Sequence, residues 1–396
     1  MKPIRVAVVQ THPIQYFSPL WRGLAAEAGF DVRVFYLSRQ GADTYQDVGF
    51  NVPVRWDLPL LQGHDAEFVP NLPASATNVS GFWSLCNIAL VGALRRYAPD
   101  VCVVHGYEHA AKWLAYSWCM VTRTPYVIRG ESNNLRPRGF VKSALRWTIL
   151  HPLYGRASAV AAIGRLNAAY SIALGTARDR VVLAPYSVDD QRFSAACDVP
   201  VKDARARFGL PGDGILILVS GKLIDRKQPL LALEAFRSIA TDVPSAHLAV
   251  LGEGTLRPAI EREAARIGLG QRVHLLGFVN QTDVPLVYRA CDFLVFPSLE
   301  DTWGLALNEA MHVGLPAIVS DRVGAAPDLI VEGETGFIVR ADDVSGIANA
   351  MRVLASNDEL RRRCGMAAQL RAAHWGMAAT VRGMRDACEL AASRPR

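Results

Sequence analysis

The feature that most constrains the fold is an alternation of strand-like and helix-like segments along most of the chain. Short runs rich in valine and isoleucine, such as residues 4–10, 101–105 and 215–220, are strand-like. Between such runs lie segments whose apolar residues recur every three or four positions, as in 257–269. Strands separated by helices pair in parallel, because a parallel pair needs a long crossover connection. The sequence therefore predicts an α/β fold of parallel sheets covered by helices.

The alternation is interrupted in two places. Residues 38–80 do not fit it and hold aromatic residues among Gly, Pro, Asp and Asn, which indicates either a loop that selects an acceptor or an irregular insertion covering the sheet edge. Residues 185–200 are polar and contain two prolines, and the alternation restarts after them. A chain of 396 residues has room for two domains at ~100–200 residues each. We predict two Rossmann-like, doubly wound domains facing a central cleft. The first spans 1–190, a linker spans 191–204, and the second spans 205–372.

The charge of the chain is unevenly distributed. Lys and Arg exceed Asp and Glu by 43 to 37, and residues 1–190 hold the whole excess of six. A strongly basic run has Glu131 as its only acid and contains Arg129, Arg136, Arg138, Lys142, Arg146, Arg156 and Arg165. Apolar residues at near-helical spacing lie among them, including Phe140, Leu145 and Trp147. Two interpretations stay open: a basic amphipathic helix on an anionic membrane surface, or a core-facing helix with a solvated basic face.

Composition excludes several classes of protein. The seven cysteines are scattered without a C-x-x-C pair, which indicates reduced thiols rather than a secreted disulfide framework. The N-terminus has the pattern of a first strand and not of a signal peptide, and no apolar stretch approaches the ~20 residues of a membrane span. We expect a cytoplasmic protein, soluble or peripheral on the inner face of the membrane. No nucleic-acid partner is expected.

The segment most informative about function covers residues 297–321. Two acids, Glu300 and Asp301, lie between a strand and a helix that starts near Gly304, and Glu309 follows inside the helix. The backbone N–H groups at a helix start favour anions. Those of interest here belong to Trp303, Gly304 and Leu305. Asp301 could accept hydrogen bonds from sugar hydroxyls and Glu309 from a ribose diol. The alternative is an ordinary helix with a solvated acidic start.

A second candidate lies in residues 220–229, which follow the first strand of the second half. Lys222 and Lys227 are five residues apart across a tight turn. Two ammonium groups in this position could neutralise a diphosphate and stabilise it as a leaving group. The alternative is a solvated basic turn.

Together these stretches resemble the retaining nucleotide-sugar glycosyltransferases of family GT4, which have the GT-B fold. Gly221, Lys222 and Lys227 match the family's Gly-Arg/Lys-x4-Lys turn, and Gly304 with Glu309 matches its Glu-x7-Glu motif. The resemblance is strong over 205–372. It implies that Lys222 and Lys227 bind the donor's diphosphate and Glu309 its ribose.

The resemblance carries further implications for the donor site and the end of the chain. The backbone of 277–279, including Val279, would lie near the base, and the amides of Gly304 and Leu305 near the distal phosphate and sugar. A C-terminal helix in 373–396 would cross back to the first domain. No cofactor is implied, because the nucleotide-sugar is a substrate. Metal independence is expected, since the sequence has no Asp-x-Asp and no cluster with zinc spacing.

Two departures from the family pattern concern catalytic carboxylates. The first motif position holds Asp301, with Glu300 beside it, where the family has a glutamate. Either acid could take that role. Many members carry a histidine where this sequence has Glu131. We assign Glu131, Asp301 and Glu300 as the candidate catalytic residues.

A third departure concerns the first loop, residues 11–19, where many members have a Gly-Gly turn. Here His12 or Gln15 would contact the donor or the acceptor instead. Arg129, two residues before Glu131, could donate to the same ligand. His105 ends a strand and either faces the ligand or caps the structure.

The predicted function is that of a retaining glycosyltransferase, hexosyl or pentosyl. It would move a sugar from a nucleotide-diphosphate sugar to a hydroxyl of a glycan or lipid-linked acceptor, in assembly of bacterial surface polysaccharide or glycolipid. Two alternatives are a GT-B nucleotide-sugar epimerase or hydrolase, and a catalytically impaired GT-B binding protein.

Overall fold

The computed structural model describes residues 2–47, 49, 52–72, 79–135 and 139–394. The chain divides into two compact units. The first comprises Met1–Tyr45, Val54–Tyr186 and Met377–Arg396, and the second comprises Gln46–Pro53 and Ser187–Gly376.

Strands recur along both units, and all but those at Tyr45–Asp47, Val52–Val54 and Asp65–Phe68 lie where the alternation predicts them. Over the described residues they are β1 (Ile4–Gln10), β2 (Phe30–Tyr36), β3 (Tyr45–Asp47), β4 (Val52–Val54), β5 (Asp65–Phe68), β6 (Val101–His105), β7 (Tyr126–Arg129), β8 (Ala159–Ala162), β9 (Val181–Leu183), β10 (Ile215–Ser220), β11 (Ala246–Leu251), β12 (Val273–Gly277), β13 (Phe293–Phe296), β14 (Ala317–Ser320) and β15 (Gly336–Val339).

Helices connect most successive strands. Over the same residues they are α1 (Ser18–Ala26), α2 (Ala89–Tyr97), α3 (Ala110–Thr122), α4 (Phe140–Arg156), α5 (Arg165–Ala173), α6 (Asp190–Ala196), α7 (Val201–Arg207), α8 (Pro229–Ile239), α9 (Arg257–Arg266), α10 (Val284–Ala290), α11 (Leu305–His312), α12 (Ala326–Leu329), α13 (Val344–Ser356), α14 (Asp358–Ala373) and α15 (Met377–Ala392). Single 3-10 turns occur at Phe82–Ser84, Arg178–Arg180, Asp225–Lys227 and Gly270–Arg272.

The first unit is built on a sheet with the strand order β5-β2-β1-β6-β7-β8-β9. Its central strand β1 pairs in parallel with β2 on one side and with β6 on the other. Helices cover both faces of such a sheet, which explains why β6 is buried along its whole length and reads as a continuous apolar run. The strand order reverses between β1 and β6, so the loops after Gln10 and His105 flank the crevice where doubly wound sheets bind ligands.

The second unit repeats this design on a sheet with the order β12-β11-β10-β13-β14-β15. All of its neighbouring strands pair in parallel. Here the order reverses between β10 and β13, so the loops after Ser220 and Phe296 meet at the carboxyl edge of the sheet. Both loops carry residues that the sequence singles out. The predicted fold class of two Rossmann-like α/β domains is confirmed.

The segment predicted as a linker, 191–204, is helical and belongs to the second unit. It contains most of α6 and the first residues of α7, and Phe193 and Ala204 are buried. Phe193 packs edge-on against Tyr288 of α10, with 5.9 Å between ring centroids. Polar composition and two prolines suggest an irregular connection, but Pro200 precedes the first turn of α7, where a missing N–H costs nothing. The chain passes from the first unit to the second at residues 186–187.

The C-terminal helix α15 belongs to the first unit, although the residues immediately before it belong to the second. Its buried side chains include Met384 and Cys388. Thr380 Oγ1 donates a 2.8 Å hydrogen bond to the carbonyl of Pro185, so α15 holds the end of the first unit's main segment.

Candidate functional site

The turn after β10 places Lys227 beside the acidic loop after β13. The Lys227 ammonium contacts the Asp301 carboxylate and lies 4.7 Å from the centre of the Phe296 ring. Both charged side chains are largely buried, with 17% and 14% of their surface exposed. The loops at the switch point of the second sheet therefore bring together two residues that are 74 positions apart.

Backbone contacts hold these two loops in register. The Leu299 amide donates to the Arg226 carbonyl over 2.9 Å, and Arg226 Nη1 donates to the Glu300 carbonyl over 3.0 Å. Glu300 thus contributes its backbone to the loop contact, whereas Asp301 is the acid that meets Lys227 with its side chain.

The start of α11 requires glycine at position 304. Gly304 has a φ of 99°, which disfavours side chains. A Cβ there would also lie 2.7 Å from Val323 Cγ1 and 2.9 Å from Phe296 Cε1. Next to it, Asp301 Oδ1 accepts a 3.3 Å hydrogen bond from the Trp303 amide. The motif glycine therefore lets α11, from Leu305 onward, begin directly beside the carboxylate that contacts Lys227.

Glu309 lies one turn into α11 and is 5% exposed. The Tyr288 hydroxyl of α10 donates to Glu309 Oε2 over 2.6 Å and lies 2.8 Å from Ser220 Oγ at the end of β10. A buried carboxylate needs such partners to offset its lost hydration. Sequence reasoning did not identify Tyr288, because a tyrosine inside an amphipathic helix has no motif of its own.

Lys222, the other candidate lysine, has a partner that sequence spacing did not indicate. Its ammonium lies 2.7 Å from Asp47 Oδ1, in the segment Gln46–Pro53 that packs with the second unit. The two residues are 175 positions apart.

Glycines also allow the loops after β10, β11 and β12 to approach one another closely. A Cβ on Gly252 would lie 2.0 Å from the Gly221 carbonyl oxygen, and the Gly252 amide donates to the Gly277 carbonyl over 3.0 Å. Val279 follows two residues later and is half-buried. The structure thus places Gly221 and the loop that carries Val279 on either side of Gly252.

In the first unit, two predicted histidines lie at the carboxyl edge of the sheet. His12 follows β1, and His105 ends β6 and packs edge-on against Phe17, with ring centroids 4.4 Å apart. Burial, helped by the charge of Lys112, lowers the pKa of His12 to about 4 and that of His105 to about 3. Both rings are therefore neutral at pH 7. Gln15, in the same loop as His12, is 7% exposed.

Each of these histidines has a ring nitrogen that lacks a hydrogen-bond partner. Among the described residues, His12 Nδ1 and His105 Nε2 belong to the buried side-chain atoms without one. Leaving a buried polar atom unpaired costs about 1–3 kcal/mol, so these atoms are suited to contact a ligand.

The end of β7 lies beside the end of β6, since Arg129 is the register partner of His105. Glu131 Oε1 accepts a 2.8 Å hydrogen bond from the Tyr186 hydroxyl. Arg129 is 1% exposed, and its guanidinium donates to the carbonyls of Ala184 and Pro185 over 2.9 and 3.4 Å. Burial lowers the pKa of Arg129 to about 10, which still leaves it charged at pH 7. Arg129 thus ties β7 to the last residues of the main segment of this unit.

Lys112, in the first turn of α3, is a charged residue that sequence reasoning missed. Its side chain is fully buried, and its ammonium contacts the Glu108 carboxylate. Burial lowers the pKa of Lys112, while Glu108 and Glu131 oppose that shift. The sequence did contain one indication of this residue, since a lysine stands inside the apolar pattern of α3. Its charge acts on both His12 and His105.

No group of three or more His, Cys, Asp or Glu side chains in the part of the chain described is arranged to hold a metal ion. Likewise, none of the helices within the described ranges combines the length and the apolar character needed to cross a bilayer.

Comparison with known families decides the classification. Residues 201–371 match the model of "Glycosyl transferases group 1", and residues 13–187 match that of the "Glycosyl transferase 4-like domain". The chain belongs to the group 1 glycosyltransferases of family GT4. Together the two matches cover both units of this family member, and the predicted resemblance is confirmed.

Individual proteins show similarity of different extent. The D-inositol 3-phosphate glycosyltransferase of Streptomyces avermitilis is 31% identical over 182 residues, 44% of this chain and 39% of that protein. The chain thus spans less than half the length of the first curated relatives it matches. A GDP-mannose-dependent alpha-(1-6)-phosphatidylinositol monomannoside mannosyltransferase of Mycolicibacterium smegmatis is 24% identical over 384 residues, 93% of this chain and 87% of that protein.

Among solved structures, HepE of Anabaena, crystallised in complex with UDP, matches with a TM-score of 0.74. The match covers 98% of this chain and 99% of that one at 17% sequence identity. At this identity the match shows the fold alone, and it identifies this GT4 member as a GT-B protein.

Proposed function

We propose that this protein is a retaining glycosyltransferase that moves a hexosyl or pentosyl group from a nucleotide-diphosphate sugar to a hydroxyl of a glycan or lipid-linked acceptor. The observation that carries the proposal is the convergence of Lys227, Asp301 and the start of α11 at the switch point of the second sheet. A cation, an acceptor-only carboxylate and a helix start suit a diphosphate joined to a sugar.

The donor is assigned to the second unit. Lys222 and Lys227 would neutralise the diphosphate, Glu309 would bind the ribose, and the loop at Val279 would lie near the base. The amides of Gly304 and Leu305 would meet the distal phosphate and the sugar. The UDP bound by HepE and the GDP-mannose named for the mycobacterial relative support a nucleotide-sugar donor.

The acceptor is assigned to the first unit. His12 and His105 have ring nitrogens suited to hydroxyl groups, and Gln15 lies in the same loop as His12. Glu131 would act near the reacting sugar, in the position where many family members have histidine. The phosphatidylinositol monomannoside in the name of the mycobacterial relative supports a lipid-linked acceptor.

The chemistry follows from these positions. The leaving diphosphate gains negative charge as the glycosidic bond breaks, and Lys222 and Lys227 stabilise that charge without a metal. The acceptor hydroxyl attacks the same face of the sugar, and the departing phosphate oxygen takes its proton, so the anomeric configuration is retained. The rest of the rate enhancement comes from holding donor and acceptor together.

The test is donor binding and turnover by the purified chain across a panel of UDP-, GDP- and dTDP-sugars. Lys227→Ala removes a largely buried cation and should raise the donor Kd at least about tenfold, since hydrogen bonds to charged groups contribute ~1.5–3 kcal/mol. Lys202→Ala is the matched control, because Lys202 is an exposed lysine of the same unit. An unchanged Kd for Lys227→Ala would overturn the donor-site assignment.

Measurements of turnover distinguish the roles of Asp301 and Glu300, and the product shows the stereochemistry of transfer. Asp301→Asn should abolish transfer, whereas Glu300→Gln should retain it, because only Asp301 places its carboxylate on Lys227. NMR of the product should show the anomeric configuration of the donor. An inverted product would reject the retaining mechanism while leaving donor binding intact.

A further inference from the structure

Helix α4 exposes apolar side chains along its first ten residues. Phe140 is 87% exposed, Val141 77%, Leu145 61%, and Trp147 and Ile149 49% each. We call these five side chains the outer face of α4. At 100° per residue they span about 200° of the helix circumference. A large contiguous apolar surface on a folded protein marks a contact with a membrane or another molecule.

The opposite side of α4 is fixed to the first unit. Arg146 Nε donates to the Tyr170 hydroxyl over 2.9 Å, and Arg146 also contacts the hydroxyl of Tyr107. Further along, Leu150 and Leu153 are 2% exposed and belong to the core of the unit. Over residues 140–149 the polar Arg146 thus points toward the unit while five apolar side chains are exposed, the reverse of a solvated surface helix. The orientation of the outer face follows from these contacts.

The chain around α4 is strongly basic. Between positions 132 and 178 the sequence has no Asp or Glu. The basic residues of that range are Arg136, Arg138, Lys142, Arg146, Arg156, Arg165 and Arg178, of which Arg136 and Arg138 lie outside the described residues. Lys142 is exposed and lies next to the outer face on the same helix. An anionic partner is therefore favoured by charge as well as by apolar contact.

We propose that the outer face of α4 docks on the surface of an anionic lipid bilayer, with the helix lying in the plane of the interface. Apolar side chains would enter the boundary between headgroups and acyl chains, and Lys142 would pair with lipid phosphates. Trp147 stacks on His151 with ring centroids 4.3 Å apart, and its indole suits the interface region. The inference rests on the proposed function in one respect: it delivers the acceptor-binding unit to a lipid-linked acceptor.

A second copy of the chain is a less favourable occupant. In a twofold dimer the outer face would pack on itself and bring Lys142 of each copy to the same basic helix. Residues 132–178 offer no carboxylate to pair with those cations. The charge of this surface therefore opposes self-association and favours lipid phosphate.

The test is flotation of the full chain with vesicles of phosphatidylcholine alone or with about one third phosphatidylglycerol. We expect binding to the anionic vesicles only, and Leu145→Glu should weaken it at least about tenfold by placing a charge in the apolar contact. Leu370→Glu is the matched control, because Leu370 is 71% exposed on α14 of the second unit. The proposal would be overturned if Leu145→Glu and Leu370→Glu weakened vesicle binding equally, or if the wild type bound no vesicles.

Three further readouts distinguish the alternatives. Lys142→Glu should lower vesicle binding, whereas Lys202→Glu, on an exposed lysine of α7, should not. A wild-type dimer that Leu145→Glu converts to a monomer would identify a second copy as the occupant and reject the membrane. Leu145→Glu should leave binding of the nucleotide-sugar panel in solution unchanged if the inference is right. A wild-type chain that binds no donor of the panel would contradict the proposed function, whatever the vesicle binding shows.

Discussion

At the scale of single residues, two neighbouring acids have different positions. Glu300 and Asp301 are equally plausible from the sequence, since either could reach a sugar. In the structure the Glu300 carbonyl pairs with Arg226, and the Asp301 carboxylate meets Lys227. Backbone hydrogen bonds between the two loops determine which of the two carboxylates lies beside Lys227. The spacing of the motif residues does not reveal these hydrogen bonds.

His105 gives a prediction at the same scale. Burial, with the charges of Lys112 and Arg129, lowers its pKa from 6.5 to about 3, although Glu108 acts in the opposite direction. The unfolded chain therefore binds a proton below pH 6.5 that the folded chain does not bind until about pH 3. The stability that His105 contributes is complete above pH 6.5 and is lost as the pH falls toward 3.

Between pH 7 and pH 5 this loss amounts to about 2 kcal/mol for one histidine. Urea unfolding of the first unit at both pH values should show that loss in the wild type and a smaller loss in His105→Gln. His374→Gln, at an exposed histidine, should behave as the wild type does. Identical pH dependence in His105→Gln and the wild type would contradict the assignment.

At the scale of elements, most of the strands and helices of both sheets follow from the hydrophobic pattern. The exceptions are elements whose residues are polar. β5 (Asp65–Phe68) joins the edge of the first sheet beside β2 although its sequence lacks a β-branched run, because an edge strand needs fewer apolar residues. The helices α6 and α7 replace the predicted linker because Phe193 and Ala204 are buried in the second unit.

The segment Gln46–Pro53 gives the prediction at this scale. Asp47 places its carboxylate on Lys222, so it competes with a diphosphate for that ammonium. Asp47→Asn should therefore lower the Kd for UDP by about two- to fivefold, in the range expected for a partly exposed ion pair. Isothermal titration calorimetry measures the change. Asp213→Asn, an exposed acid of the second unit, is the control, and weaker UDP binding by Asp47→Asn would show that Asp47 assists the donor instead.

At the scale of the whole molecule, the first unit depends on the last residues of the chain. A Cβ on Gly23 of α1 would lie 2.5 Å from Val381 Cγ2, and one on Gly383 would lie 2.1 Å from the Leu183 carbonyl oxygen. At both places glycine lets α15 pack closely against the rest of the unit. Met384 and Cys388 complete the burial of the helix on this unit.

Deleting residues 377–396 should therefore unfold the first unit at ambient temperature, since losing one large core side chain alone costs about 2–5 kcal/mol. The second unit should keep its folding transition and its stabilisation by UDP. Differential scanning calorimetry with and without UDP separates the two transitions, and deletion of 395–396 alone is the control. Two intact transitions in the long deletion would contradict this dependence.

The sequence by itself determined the fold class, the order of strands and helices, and the family, because hydrophobic periodicity and short motifs are local in the chain. It also placed Lys227, Asp301 and Glu309 among the candidates. Only the tertiary structure decided which acid meets Lys227, that Tyr288 supports Glu309, that Asp47 pairs with Lys222, and that α4 turns its apolar side outward. Each of these depends on a contact between side chains distant in sequence or on the direction in which a helix faces, and packing sets both.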